Sequence, residues 1–223
     1  MPYALASPGD TSLPLWLVDE ASARTMIEAL GPSQRRWANA TGFAGKSGQV
    51  CILPGDDGSP AGAMFGTGTH EQRRRTRFQV AQAAAALPDG TWSIATPLEP
   101  DAASEVALGW LMTAYRFTRY RAQSAARALL VAPEGIDVTR IEALAAAEAL
   151  TRDLINTPAS DMGPEDLELA ASAVAKAGGA TITVTRGDDL LAANLPMIHA
   201  VGRASTRAPR LIDLRWGSTG PSV

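Results

Sequence analysis

Short apolar runs that stop at glycine or proline and give way to helix-length stretches recur along the chain. This alternation limits the fold more than any single motif does. Residues 13–18 (LPLWLV) read as a strand and residues 20–30 as a helix ended by Gly31-Pro32. Residues 49–53 carry a buried-strand pattern stopped by the turn cluster Pro54-Gly55-Asp56-Asp57-Gly58. A weaker strand, 61–65, precedes a Gly66-Thr67-Gly68 loop. Residues 78–87 look helical, and Pro88-Asp89-Gly90 turns the chain into a strand at 91–95. A longer helix follows at 102–121, with Val106, Trp110, Thr113, Ala114 and Phe117 on one stripe, and then a short buried strand at 128–131.

The second half is marked more sharply. Ile141, Leu144, Ala147, Leu150 and Leu154 recur every three or four residues, which predicts an amphipathic helix stopping before Pro158. Pro164-Glu165-Asp166 opens another helix, because proline suits the first helical position and carboxylates suit the positive end of the helix dipole. Its inward positions are Leu167, Ala171 and Val174, and Gly178-Gly179 ends it. Strands are expected at 181–185, 197–201 and 210–216, with a short helix at 188–194. Strand and helix in alternation imply α/β layering around a parallel sheet. The expected organisation is an amino-terminal α/β domain over 1–135, a linking helix over 136–158, and over 159–223 the truncated start of a second α/β domain. Three strands and two helices are too few to close a doubly wound sheet, so the chain reads as cut short.

Composition narrows the function classes. A chain of 223 residues with 46% hydrophobic and 19% charged content can bury a core without metal or disulfide staples. A net charge of −3 argues against a general nucleic-acid binder or a polybasic membrane-surface protein. The single cysteine, Cys51, excludes an intrachain disulfide and a cysteine-based structural zinc site. The start of the chain lacks the basic and apolar regions of a signal peptide, and its longest apolar run, 106–115, is too short to cross a bilayer. The expectation is a soluble cytoplasmic protein with neither nucleic acid nor membrane as partner.

No constellation for chemistry emerges from the residues alone. There is no G-x-S-x-G elbow, and Cys51 sits inside an apolar strand run, as an inert buried thiol would. His70 and His199 are far apart in sequence and in unlike settings, and His199 reads as a hydrogen-bonded core histidine. Asp188-Asp189 reads as helix capping, and Asp56-Asp57 as a turn. Gly66-Thr67-Gly68 lacks the G-x-G-x-x-G spacing of a phosphate loop, and no helix is expected directly after it. Arg73-Arg74-Arg75 with Arg77 is the one basic run; it reads as a solvated loop, or alternatively as a contact for a phosphate-bearing ligand or acidic partner. The catalytic and metal positions are therefore none in this chain.

Several blocks in order carry a resemblance. They are Ala107-Leu108-Gly109-Trp110, Tyr115-Arg116-Phe117 with Tyr120, and Arg152-Asp153-Leu154-Ile155-Asn156-Thr157-Pro158-Ala159. Met162-Gly163-Pro164-Glu165-Asp166-Leu167 follows, then 194–205 (NLPMIHAVGRAS) and Pro209-Arg210-Leu211-Ile212. Over roughly its last 120 residues the chain resembles the leucyl aminopeptidase (cytosol aminopeptidase) family of metallopeptidases. The resemblance implies an amino-terminal α/β domain, a linking helix and a catalytic α/β domain. It also implies release of amino-terminal residues from peptides, two divalent metals (zinc or manganese) that activate a water, and assembly as a homo-hexamer.

The family's metal ligands lie in a Gly-Lys-Gly loop, an Asp-Thr-Gly-Gly-like stretch and later segments, none of which is present here. Arg203, in its Gly-Arg-Ala-Ser context, is not the family's catalytic arginine. The chain is expected to be inactive alone. The alternative is a non-enzymatic module for oligomerisation or for binding a small ligand such as a nucleotide, supported only by Arg73 to Arg77 and the 66–68 loop. In the matching blocks, Pro158 ends a helix and Gly202 permits a close approach or a positive φ.

Overall fold

The computed structural model describes residues 3–124 and 127–217. The chain forms two compact units, Met1–Thr151 and Arg152–Val223.

The first unit is built on a five-stranded sheet of order β2-β3-β1-β4-β5. Its strands are β1 (Leu13–Asp19), β2 (Val50–Pro54), β3 (Pro60–Gly68), β4 (Gly90–Ile94) and β5 (Ala128–Leu130). Strand β1 runs parallel to β3 and β4, and β4 parallel to β5; only β2 is antiparallel, paired with β3. The expected parallel sheet is thus present with one reversed edge strand, because the tight turn at Pro54-Gly55-Asp56-Asp57-Gly58 returns the chain directly as a hairpin. In that turn Asp57 accepts hydrogen bonds from the amide and hydroxyl of Ser59.

Helices cover both faces, and the side-chain alternation of the strands sorts the core into two layers. Leu15, Ala63, Phe65 and Trp92 point to one face. There they pack with residues of α4 (Ala81–Ala86), α5 (Pro100–Thr113) and the start of α6 (Val138–Asn156). Val18, Cys51, Leu53 and Met64 point to the other face, under α1 (Ala23–Ala29) and α2 (Pro32–Ala40). Leu15, Ala63, Met64, Phe65 and Trp92 are fully buried. The near-continuous apolar run in β3 reflects burial on both sides.

Sequence expectation and structure differ in this unit at four places. Pro32 does not end helical structure; it occupies the first turn of α2, where its missing N–H costs nothing. Gly66-Thr67-Gly68 is the end of β3 rather than a loop. A helix, α3 (His70–Arg75), does follow at once, so the basic run starts in a helix, not a loop. The fourth is α5, which stops at Thr113 instead of reaching residue 121. The Arg116 guanidinium donates to the carbonyls of Thr113 (2.8 Å) and Tyr115 (2.7 Å), satisfying groups that would otherwise have continued the helix.

The second unit contains α7 (Pro164–Gly178), β6 (Thr181–Arg186), α8 (Asp189–Ala192), α9 (Pro196–Gly202) and β7 (Arg210–Arg215). Its two strands pair antiparallel, from Thr181 opposite Arg215 to Arg186 opposite Arg210, so this sheet is not parallel as expected. Residues 197–201 are helical, not a strand. Asn194 takes a left-handed φ of 58° that closes α8, and Pro196 opens α9 at its first turn. A five-residue apolar run carries no period that separates the two structures.

An ionic lattice ties α7 to the sheet. Glu168 meets the guanidinium groups of Arg186 and Arg210, while Glu165 and Asp166 meet Arg207. Hydrogen bonds from Arg186, with a further contribution from Arg210, hold the Glu168 carboxyl down at about 2. The expected inward positions Leu167 and Val174 are each 47% exposed. Among the described residues, Ala175 and Leu190 are the buried apolar side chains of this unit.

Candidate functional site

A crevice with charged and apolar walls lies at the carboxyl ends of β1, β3 and β4. After β1 the chain fills the sheet on one side with β2 and β3, then crosses to place β4 on the other side. Such a reversal of strand order leaves a crevice outside the strand ends. The ladder between β1 and β4 closes at Leu15–Ile94. One step further, Leu17 donates its amide to the Thr96 hydroxyl (2.8 Å) instead of to a strand partner. The strands part there, and a cavity of about 560 Å³ opens.

Asp19 stands at the end of β1, where the register to β3 shifts between Val18 and Asp19. The Ser22 hydroxyl (2.6 Å) and amide (2.8 Å) both donate to its Oδ1. These bonds first, with Arg73 adding its charge, hold the Asp19 carboxyl below the usual carboxylate range. Arg73 reaches Asp19 Oδ2 at 3.3 Å and also donates to Thr67 Oγ1 (3.3 Å) and the Gly68 carbonyl (3.0 Å). It presents this fork because α3 is fixed by a reciprocal cap. Thr69 Oγ1 accepts from the Gln72 amide, and Gln72 Oε1 accepts from the Thr69 amide.

The opposite wall comes from the turn before α4 and from α5. Phe78 holds a left-handed φ of 57°, uncommon for a bulky side chain. Glu105 stabilises it by accepting the Phe78 amide at 3.0 Å, while its other oxygen meets Arg77 at 3.3 Å. Gly109 makes room beneath, since a Cβ there would sit 3.1–3.2 Å from Phe78 and Ala81. Asp101, in the first turn of α5, is exposed at the rim.

Sequence-singled residues fall as follows. The glycines at 66 and 68 serve the fold. A Cβ on Gly66 would lie 2.0 Å from the Lys46 carbonyl, and Gly68 needs its φ of 70°. Their amides already donate to Gln49 (2.7 Å) and Gly45 (2.9 Å), so this pair offers nothing to a phosphate. Three of the four arginines of the basic run are paired: Arg73 with Asp19, Arg75 with Glu71 and Arg77 with Glu105.

Cys51 is buried, and burial pushes its thiol up. His199 projects from α9 and bonds Asp188 at 3.1 Å, so Asp188 serves the imidazole and makes no side-chain cap on α8. His70 opens α3. Gly202 takes the close approach of the two alternatives, because a Cβ would lie 2.3 Å from Pro209. Among the described residues no three His, Cys, Asp or Glu side chains converge as metal ligands. Asp19 was not singled out by sequence, although a carboxylate directly after an apolar strand run is a signal that marks a strand's carboxyl end.

Comparison with known proteins places this architecture. A family model for the amino-terminal domain of M17 aminopeptidases matches residues 13–133, over half the chain. A second model, the catalytic domain of the cytosol aminopeptidase family, matches residues 149–222. The chain belongs to the M17, or cytosol, aminopeptidase family.

Among relatives of this family, a probable cytosol aminopeptidase of Rhodococcus opacus is 28% identical over 220 residues, which cover 91% of this chain and 42% of that protein. Peptidase B of Cronobacter sakazakii is 43% identical over 72 residues, 31% of this chain and 17% of that protein. The crystal structure of cytosol aminopeptidase from Coxiella burnetii superposes with a TM-score of 0.89 at 28% identity, covering 98% of this chain and 47% of that one. The fold also matches the bottromycin maturation enzyme BotP, solved in complex with manganese, at a TM-score of 0.70 and 24% identity, over 92% of this chain and 45% of that one. The chain thus spans under half the length of each of these proteins. Its α/β fold corresponds to the M17 amino-terminal domain and the start of the catalytic domain.

Proposed function

We propose that the chain serves a metal-dependent aminopeptidase that releases amino-terminal residues from peptides. In this reading, residues 1–135 are its amino-terminal domain, 136–158 a linking helix and 159–223 the opening part of its catalytic domain. The observation that carries the reading is the pair of family matches in consecutive order on one chain, 13–133 then 149–222. The whole enzyme uses two divalent cations, zinc or manganese, works in the cytoplasm and assembles as a homo-hexamer.

The described residues do not fit the cation pair, because no three ligating side chains converge among them. No catalytic step is therefore assigned to this chain, which is inactive by itself. A direct test incubates the pure 223-residue protein with leucine p-nitroanilide and added zinc or manganese. No release of nitroaniline above the buffer rate is expected, and metal-dependent turnover would overturn the inactivity. Sedimentation of the whole enzyme tests the hexamer.

A further inference from the structure

We propose that the crevice at the carboxyl ends of β1, β3 and β4 binds a small ligand carrying an ammonium group on an apolar body: a free amine, or the amino end of a short peptide with an apolar first residue. The inference stands on the crevice itself and does not depend on the aminopeptidase reading. The cavity's 560 Å³ falls within the ~300–1,000 Å³ typical of small-molecule sites.

Charge decides the class of ligand. Three carboxylates, Asp19, Asp101 and Glu105, line the crevice; Arg73 offsets Asp19 and Arg77, just outside the lining, offsets Glu105, which leaves the charge of Asp101 uncompensated. The Arg73 guanidinium is already committed to Asp19, Thr67 and the Gly68 carbonyl. An anionic ligand would meet net negative charge, and the nearby glycine amides are spent on Gln49 and Gly45. A metal ion is disfavoured because no three ligating side chains converge among the described residues. An organic cation remains.

Asp101 is the group to receive it. Among the described residues Asp19 and Glu105 have arginine partners, whereas Asp101 makes no side-chain hydrogen bond or ion pair. It stands in the first turn of α5, on the rim of the crevice. Leu17, Phe78, Val80, Leu98 and Val106 supply the apolar surface beside it. An ammonium held at Asp101 would lay an attached apolar group against that surface, removing it from water.

Titration calorimetry of the 223-residue chain at about pH 6.5, where an α-amino group is charged, tests the proposal. L-Phenylalaninamide is expected to bind, and its N-acetyl derivative, which lacks the charge, to bind at least about tenfold more weakly. Asp101→Asn should weaken L-phenylalaninamide about tenfold without lowering the melting temperature appreciably, since the side chain is exposed and unpartnered. Phenethylamine and L-phenylalanyl-glycine separate the sources: tighter binding of the first assigns a free amine, of the second a peptide amino end. The proposal is overturned if the acetylated compound binds equally well, if ADP binds more tightly than the amines, if Asp101→Asn changes nothing, or if none of the amines binds.

Discussion

Gly66 shows how much a single position can require. Its backbone is clamped between Val18 of β1 and the segment before β2, with the Gly48 amide donating to its carbonyl at 2.9 Å and its own amide donating to Gln49. A methyl group there has no room, because the obstacle is the Lys46 carbonyl and the Gly45 backbone rather than a movable side chain. Gly66→Ala is expected to cost about 3 kcal/mol, at the upper end for overpacking, and to lower the melting temperature by several degrees; an unchanged melting curve would refute the clamp. Trp110 is a second such position. Its indole donates to the Ala128 carbonyl at 2.9 Å across a buried contact between α5 and β5. Trp110→Phe keeps most of the apolar volume but strands that carbonyl, for an expected loss of about 1–3 kcal/mol in denaturant unfolding. The tryptophan was visible in sequence as a stripe member, but its hydrogen bond was not, since its partner lies 18 residues further along the chain, on β5.

Among elements, legibility followed period and punctuation. Strands β1, β2 and β4 could be read from their apolar runs, and the helices α6 and α7 from the prolines at their ends; the expected inward stripes did not hold, since Leu144, Leu150, Leu167 and Val174 are exposed. What escaped was structure specified by a cap rather than by a stripe. The Thr69-x-x-Gln72 box fixes α3 although that helix buries no residue, and left-handed Asn194 turns 196–202 into a helix although its residues suit a strand.

The crevice escaped for a related reason: its carboxylates come from β1 and α5, distant in sequence and joined only by strand order. Helix α7 carries its own prediction. Glu168 titrates at about 2 in the folded unit against an ordinary 4.5, so its contribution to stability is complete above about pH 4.5 and is lost as pH falls towards 2. Glu168→Gln removes that linkage. Acid titration followed by circular dichroism should show a flatter loss of helix between pH 4.5 and 2 in the variant. Coincident curves would rule out this role.

For the whole molecule, the contrast between the two units matters most. The first unit has two buried layers around its sheet. Among the described residues the second buries only Ala175 and Leu190 as apolar side chains, and it exposes Ile155, Met197 and Val201 at 75–83%. Stability is not uniform in such a chain, and opening should be cheapest where apolar burial is least. Amide hydrogen exchange is expected to be complete over β6, α9 and β7 well before it begins in β1 and β3; equal protection would contradict the contrast. No helix among the described residues is long and apolar enough to cross a membrane.

The five tryptophans divide unevenly, with Trp16, Trp37, Trp92 and Trp110 in the first unit and Trp216 in the second. Trp216 is 79% exposed, yet its indole is tethered to the Gly178 carbonyl at the close of α7. Nature has in effect installed an optical probe on the less protected half of the polypeptide. With Trp37, the other strongly exposed indole, replaced by phenylalanine, iodide quenching of the accessible emission would follow the docking of that helix terminus in real time, with no extrinsic dye.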